Sequence, residues 1–147
     1  MLLLKFLDPD RPTFDKYGGH YHLRIESTKD MQRLLDLADG RWMATSCPLF
    51  GLNVDAIFLK FLDADGNGRI ISTEVRSAIR WIYKILNPSD SWSQSKPSLS
   101  LDLINVSDPE AKILRDTAIM VLRNLNLVDS QEITLDQVRN RQKIMAQ

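Results

Sequence analysis

The sequence predicts a mainly α fold in a single domain of 147 residues, with a small β element near its start. Three observations predict it. Apolar residues recur at helical spacing from Thr28 onward, two segments (54–87 and 114–147) each read as helix, loop, helix, and alternation of apolar with polar side chains is confined to short stretches. A chain of this length with 44% hydrophobic residues can close one core of its own, so residues 1–52 are expected to pack on 53–147.

The N-terminal segment starts with Leu2–Leu7, a candidate buried strand, followed by turn chemistry in Asp8-Pro9-Asp10-Arg11-Pro12. Tyr21–Ile25 alternates as a half-buried strand does. From Thr28, the spacing of Met31, Leu34, Leu35 and Leu37 predicts a short helix stopped at Gly40. Residues 42–51 have no regular period and read as a packed connector.

Asn53 is the expected N-cap of an apolar helix over 54–62. A loop rich in Asp, Asn and Gly follows, then a helix over 73–87 with Val75, Ile79, Ile82 and Leu86 on one face. Pro88 ends that helix, and the serine-rich stretch to Ser98 reads as a long insertion. Leu99, Leu101 and Leu103 alternate with polar residues, which predicts a strand. Ser107-Asp108-Pro109-Glu110 reads as a capping box before a helix buried on most sides and running through Leu125. Glu132-Ile133-Thr134 is expected to be extended, with a final helix over 135–147.

The twelve residues from Asp63 to Glu74 carry the sharpest chemical signal. Asp63, Asp65 and Asn67 place side-chain oxygens at alternate positions, Arg69 offers its backbone carbonyl, and Glu74 offers two oxygens from the first turn of the leaving helix. A hard divalent cation such as calcium takes six to eight oxygen ligands at roughly 2.3–2.6 Å, so this donor set suits it. Gly68 stands where the loop must turn sharply, in a backbone region that a Cβ opposes. Ile71 occupies the ninth position, where a polar side chain usually holds a ligating water, so an affinity on the order of micromolar to a hundred micromolar is expected.

These residues, with Leu59, Leu62, Ile70 and Val75 at the apolar positions around them, resemble one unit of the EF-hand superfamily, the family of calmodulin and parvalbumin. The resemblance implies a second unit, because such units work in pairs joined by a β-bridge between the eighth residues of their loops. Residues 114–147 are the candidate, with Ile133 opposite Ile70 and a partner loop from Asn126 to Gln137. Val128 and Gln131 stand there where a carboxylate and the hinge glycine belong, so this loop is expected to be degenerate and free of metal.

Other residues give weaker signals. His20 and His22 share one side of a strand, a spacing able to hold zinc, but no further ligand pattern completes such a site. Cys47 reads as packing, Trp81 as a packed residue off the main apolar stripe, and Arg139, Arg141 and Lys143 as the basic end of a helix. Nineteen basic residues balance nineteen acidic ones, which argues against nucleic acid or an anionic membrane as partner. Lys5 and Asp8 to Arg11 break the opening apolar run well short of a membrane-spanning core.

One cysteine closes no internal disulfide, which fits a cytoplasmic setting. No catalytic motif stands out, so the expected activity is calcium binding by a structural or protein-interaction module, with a protein or a further domain of the same chain as partner. The runner-up is a calcium sensor that exposes an apolar groove, although no methionine lies on the helices flanking the loop. A third reading makes the chain the N-terminal part of an enzyme with its catalysis elsewhere.

Overall fold

The computed structural model describes residues 13–41, 46–89 and 96–145, and for 20–22, 41, 46–47 and 141–145 it describes the backbone alone. Strands β1 (Phe14–Tyr17) and β2 (His20–Leu23) form a hairpin closed by Gly18 and Gly19, both at positive φ as a tight turn requires. The strand expected over Leu2–Leu7 lies outside the described residues, as do the side chains of His20 and His22.

Helix α1 (Thr28–Asp36) starts at a capping box that the sequence reading missed. Ser27 Oγ accepts from the Asp30 N–H at 3.2 Å, and Asp30 Oδ2 accepts from the Ser27 N–H at 3.1 Å. The contact with Ser27, aided by Arg33, holds the Asp30 carboxyl below the usual carboxylate range.

The chain then runs through β3 (Ser46–Pro48), α2 (Ala56–Leu62), β4 (Arg69–Ile71) and α3 (Ser72–Ile85). Next come β5 (Ser98–Ser100), a 3₁₀ turn over Leu101–Leu103, α4 (Pro109–Asn124), β6 (Glu132–Thr134) and α5 (Leu135–Met145). Helix α2 begins later than Asn53 implied. Asp55 caps it instead, its Oδ1 accepting from the Ile57 and Phe58 N–H groups at 3.0 and 2.9 Å.

The strand pairing corrects the expected bridge. Ile70 lies opposite Cys47 in the antiparallel pair β3–β4, and Ile133 lies opposite Leu99 in β5–β6. Each loop thus finds its partner in an extended stretch upstream of its own entering helix, so the ladder closes locally rather than across the whole chain. The serine-rich stretch is therefore no insertion between two bridged loops, because it delivers β5 to β6.

The two halves repeat one another. Leu49 N–H donates to the Gly68 carbonyl at 3.1 Å, and Leu101 N–H donates to the Gln131 carbonyl at 2.9 Å, the same step beyond each strand pair.

Among the described residues, more apolar side chains are buried in the second half. Ile85, Leu101, Ile104, Ala111, Val121, Leu122 and Ile133 form one buried cluster, while Leu37, Leu59, Ile70 and Ile79 are buried in the first half. Helix α4 buries one face only, since Ile113 is 67% exposed and Met120 48%. It ends in a Schellman turn, with Asn126 at φ +59° and Leu127 N–H on the Leu122 carbonyl at 2.9 Å.

Helix α3 joins the halves. Near its start Arg76 reaches Asp39 at 2.5 Å and the Leu37 carbonyl at the end of α1, where a cation is favoured. Further along, Tyr83 O–H donates to the Thr28 carbonyl. At its far end Asn87 N–H bonds the Leu103 carbonyl at 2.7 Å and Asn105 N–H bonds the Ile85 carbonyl at 2.8 Å, which stops the helix before Pro88.

Trp81 is 48% exposed rather than packed away, and its Nε1 donates to Glu110 Oε1 at 2.9 Å while Lys84 Nζ meets Glu110 Oε2 at 2.6 Å. The expected Ser107 box is replaced by Asp108 as N-cap, which frees Glu110 for this contact.

Leu122→Ala is expected to destabilise the fold by about 2–5 kcal/mol, read as a lower urea midpoint, because a side chain only 2% exposed would leave a cavity. Lys84, then Trp81, holds the Glu110 carboxyl below the usual glutamate range. The stability it brings is thus present above about pH 4.3 and lost as pH falls through its lowered folded value. Comparing thermal midpoints, Glu110→Gln should lower the midpoint at pH 7 and make little difference in acid, once the Glu110 carboxyl is protonated in the folded and the unfolded state alike.

Candidate metal centre

Helix α2 ends at Asp63, whose N–H still bonds the Leu59 carbonyl at 3.0 Å, so the first acidic side chain of the loop is held by the helix itself. The chain then turns back through Gly66 at φ +70° and Gly68 at φ +77°. The second of these is the hinge expected from the sequence. Asp63 accepts at Oδ1 from the Asn67 N–H (3.0 Å) and at Oδ2 from the Gly68 N–H (2.9 Å). Asp65 accepts from the Asn67 N–H at 3.1 Å and from Asn67 Nδ2 at 2.8 Å. Asn67 Oδ1 accepts from the Arg69 N–H at 2.8 Å, so the loop's side chains wrap its own backbone.

Glu74 closes the loop. Its Oε1 accepts from the Ala64 N–H at 2.8 Å and its Oε2 from the Ile71 N–H at 2.9 Å, which ties the first turn of α3 to both ends of the loop. Asp63 and Glu74 are each only 9% exposed, and they are the charged side chains buried among the described residues. One oxygen from each of Asp63, Asp65 and Glu74 lies within 4.8 Å of the others.

Three carboxylates at that separation repel one another, and the burial of Asp63 and Glu74 removes water that would screen those two, while Asp65 stays exposed. A divalent cation among them would reverse the sign of that interaction, and the all-oxygen donor set matches a hard ion rather than a thiophilic one. The residues present therefore fit such an ion. Asp63, Asp65 and Glu74 are brought together as the sequence implied, and Asn67 lies beside them in hydrogen-bond contact with Asp65. Arg69 is positioned by Asn67 and by its pairing with Pro48 at the start of β4.

The second loop is built on the same backbone plan, but its acidic residues, Asp129, Glu132 and Asp136, are not gathered into a metal-holding group. Gln137 takes the place of Glu74, its Oε1 accepting from the Thr134 N–H at 2.8 Å while its own N–H donates to Thr134 Oγ1 at 3.2 Å. Val128 is 67% exposed, and no second acidic group able to hold a metal occurs among the described residues.

One contact at the far end of the helix entering the loop involves a residue read in the sequence only as part of a basic helix end. Arg139 on α5 meets Asp55 at 2.6 Å, across the N-terminus of α2. The Phe58 N–H, with Arg139 next, keeps the Asp55 carboxyl below its ordinary range. Nothing in the local sequence signals this pair, since its members are distant along the chain and meet only in the fold. No helix among the described residues is long and apolar enough to cross a membrane. No protein-family model, curated protein or solved structure matches the chain.

Gly68→Ala is expected to cost about 1–2 kcal/mol in urea unfolding, because nothing lies within 4 Å of the added Cβ and the whole penalty is left-handed backbone. Gly40→Ala, at an equally open position without positive φ, should stay within about 0.5 kcal/mol of the parent.

Proposed function

We propose that this chain is a calcium-binding EF-hand module that takes one ion in the loop from Asp63 to Glu74. The observation that carries the reading is the convergence of Asp63, Asp65 and Glu74 oxygens within 4.8 Å, in a loop whose hinge glycine has φ +77°. In this reading Asp63, Asp65 and Asn67 bind through their side chains, Arg69 through its carbonyl and Glu74 through both carboxylate oxygens, a large sphere that favours calcium over magnesium. The degenerate loop takes no ion in this reading, its Gln137 capping α5 as Glu74 caps α3.

The role we assign to the ion is structural. Bound ion relieves the carboxylate repulsion and stabilises the folded state by about 2.7 kcal/mol at a hundredfold excess over the dissociation constant. A protein or a further domain of the same chain is the partner this module would serve, in a cytoplasmic setting consistent with the lone cysteine. The calcium-sensor reading is favoured by one observation, a cavity of about 570 Å³ lined by apolar groups that include Met31, Ile82, Leu86, Leu99, Leu135 and Val138.

Titration calorimetry on chelator-treated protein, with magnesium as competitor, should give one calcium site of micromolar to hundred-micromolar affinity. Glu74→Gln should weaken it at least tenfold. Absence of calcium heat from the parent protein, or an unchanged affinity in the mutant, would end this reading. A calcium-dependent rise in the fluorescence of an apolar dye would favour the sensor, and its absence the structural module.

A further inference from the structure

The two arms of the acidic loop are held unequally. Glu74 rides on α3, which is bonded to α1 through Arg76 and Tyr83 and to the start of α4 through Lys84. Asp63 rides on α2, a helix of seven residues, too short to stand alone, with Leu59 as its buried side chain. The Asp63 N–H bonds the Leu59 carbonyl at 3.0 Å, so wherever α2 lies Asp63 lies with it. About 12 Å back along the helix axis, Asp55 divides its carboxylate between two tasks. Oδ1 accepts from the Ile57 and Phe58 N–H groups, and Oδ2 accepts from Arg139 Nη2 at 2.6 Å. Among the described residues this is the polar contact that α2 and its cap make with the second half of the chain. Arg139 is in turn placed by the second loop. It stands two residues after Gln137, which is fastened to Thr134 at both its side chain and its N–H, and Thr134 belongs to β6, paired with β5. A line of contacts thus runs from the second loop through α5 and α2 to Asp63.

We infer that Arg139 is a positioning residue for the calcium loop: through Asp55 it orders α2, so the half that takes no ion raises the calcium affinity of the half that does. The inference rests on the calcium reading given above and names a control of that same site. Binding must meet the cost of holding Asp63 against Asp65 and Glu74. A short helix with one buried side chain belongs to the part of a fold that opens most readily, so much of that cost falls on α2. A contact that holds α2 before the ion arrives lowers it. By linkage, the ion strengthens the Asp55–Arg139 pair by the same factor. The size of the effect follows from exposure. The Arg139 and Asp55 side chains are 34% and 40% exposed, and a surface pair of that kind shifts an affinity by roughly two- to fivefold.

Calcium titration calorimetry of the full chelator-treated chain at low ionic strength tests it. Arg139→Gln and Asp55→Asn should each weaken calcium binding roughly two- to fivefold with the far-ultraviolet circular dichroism unchanged, the second because asparagine still caps a helix well. The double variant should bind no more weakly than either single one, since both substitutions remove the same contact. Arg139→Lys, which keeps the charge, should bind more tightly than Arg139→Gln. Lys84→Gln measures what a merely structural loss does: it removes an ion pair of similar exposure that joins α3 to Glu110, and it should leave the calcium affinity as in the parent. Parent affinity in Arg139→Gln would overturn this inference and leave the calcium reading standing. Additive losses in the double variant, or an equal loss in Lys84→Gln, would overturn it too, the latter by tracing the effect to general stability. A parent protein that takes no calcium would end both readings together.

Discussion

Glu74 is the side chain on which the first half of the molecule depends. Its two carboxylate oxygens hold the N–H groups of Ala64 and Ile71, so one side chain on the first turn of α3 fixes where the loop begins and where it ends. Because both groups are backbone donors in a protected site, a substitution that removed the carboxylate would leave them without partners as well as deleting a charge. The same contact orients β4, which must lie flat against β3 for Ile70 to face Cys47. The turn of the loop, the start of α3 and the strand pair are thus one cooperative unit.

The second half reaches the same backbone geometry by a cheaper chemical route. Gln137 offers a neutral oxygen to Thr134, and the carboxylates of that loop, Asp129, Glu132 and Asp136, are not gathered into a group able to hold a metal. Stability there comes from apolar burial, with Leu101 and Leu122 at 2% exposure and Ala111 fully enclosed. Among the described residues, the first half has a smaller set of buried apolar side chains and keeps Asp63 and Glu74 largely out of water. This division explains why an ion would matter more to one half than to the other. Helix α3 links them mechanically, bonded to α1 through Arg76 and Tyr83 and to α4 through Trp81 and Lys84.

Much of the local structure was legible in the sequence because it rests on near-neighbour physics. The acidic loop, its hinge at Gly68, the helices around it and the extended Glu132–Thr134 segment follow from side-chain spacing, and the structure has them in place. Boundaries moved where a side chain found a better partner than the nearest one. Asp55 displaced Asn53 as a cap while also meeting Arg139, and Asp108 displaced Ser107 while Glu110 turned to Trp81 and Lys84. The reading of α4 as buried on most sides also misled, since its apolar residues surround the helix but only one face meets the core.

The sequence by itself determined the mainly α class, the positions of both loops, and the gathering of Asp63, Asp65 and Glu74. Each of these depends on groups within about twelve residues of one another, whose separation is set by backbone geometry. Only the tertiary structure decided which strands pair, that Ile70 faces Cys47 and Ile133 faces Leu99 rather than each other. Backbone N–H and C=O groups carry no label for their partner, so any exposed extended segment can satisfy them, and the choice falls to whichever one the packing of the helices brings alongside.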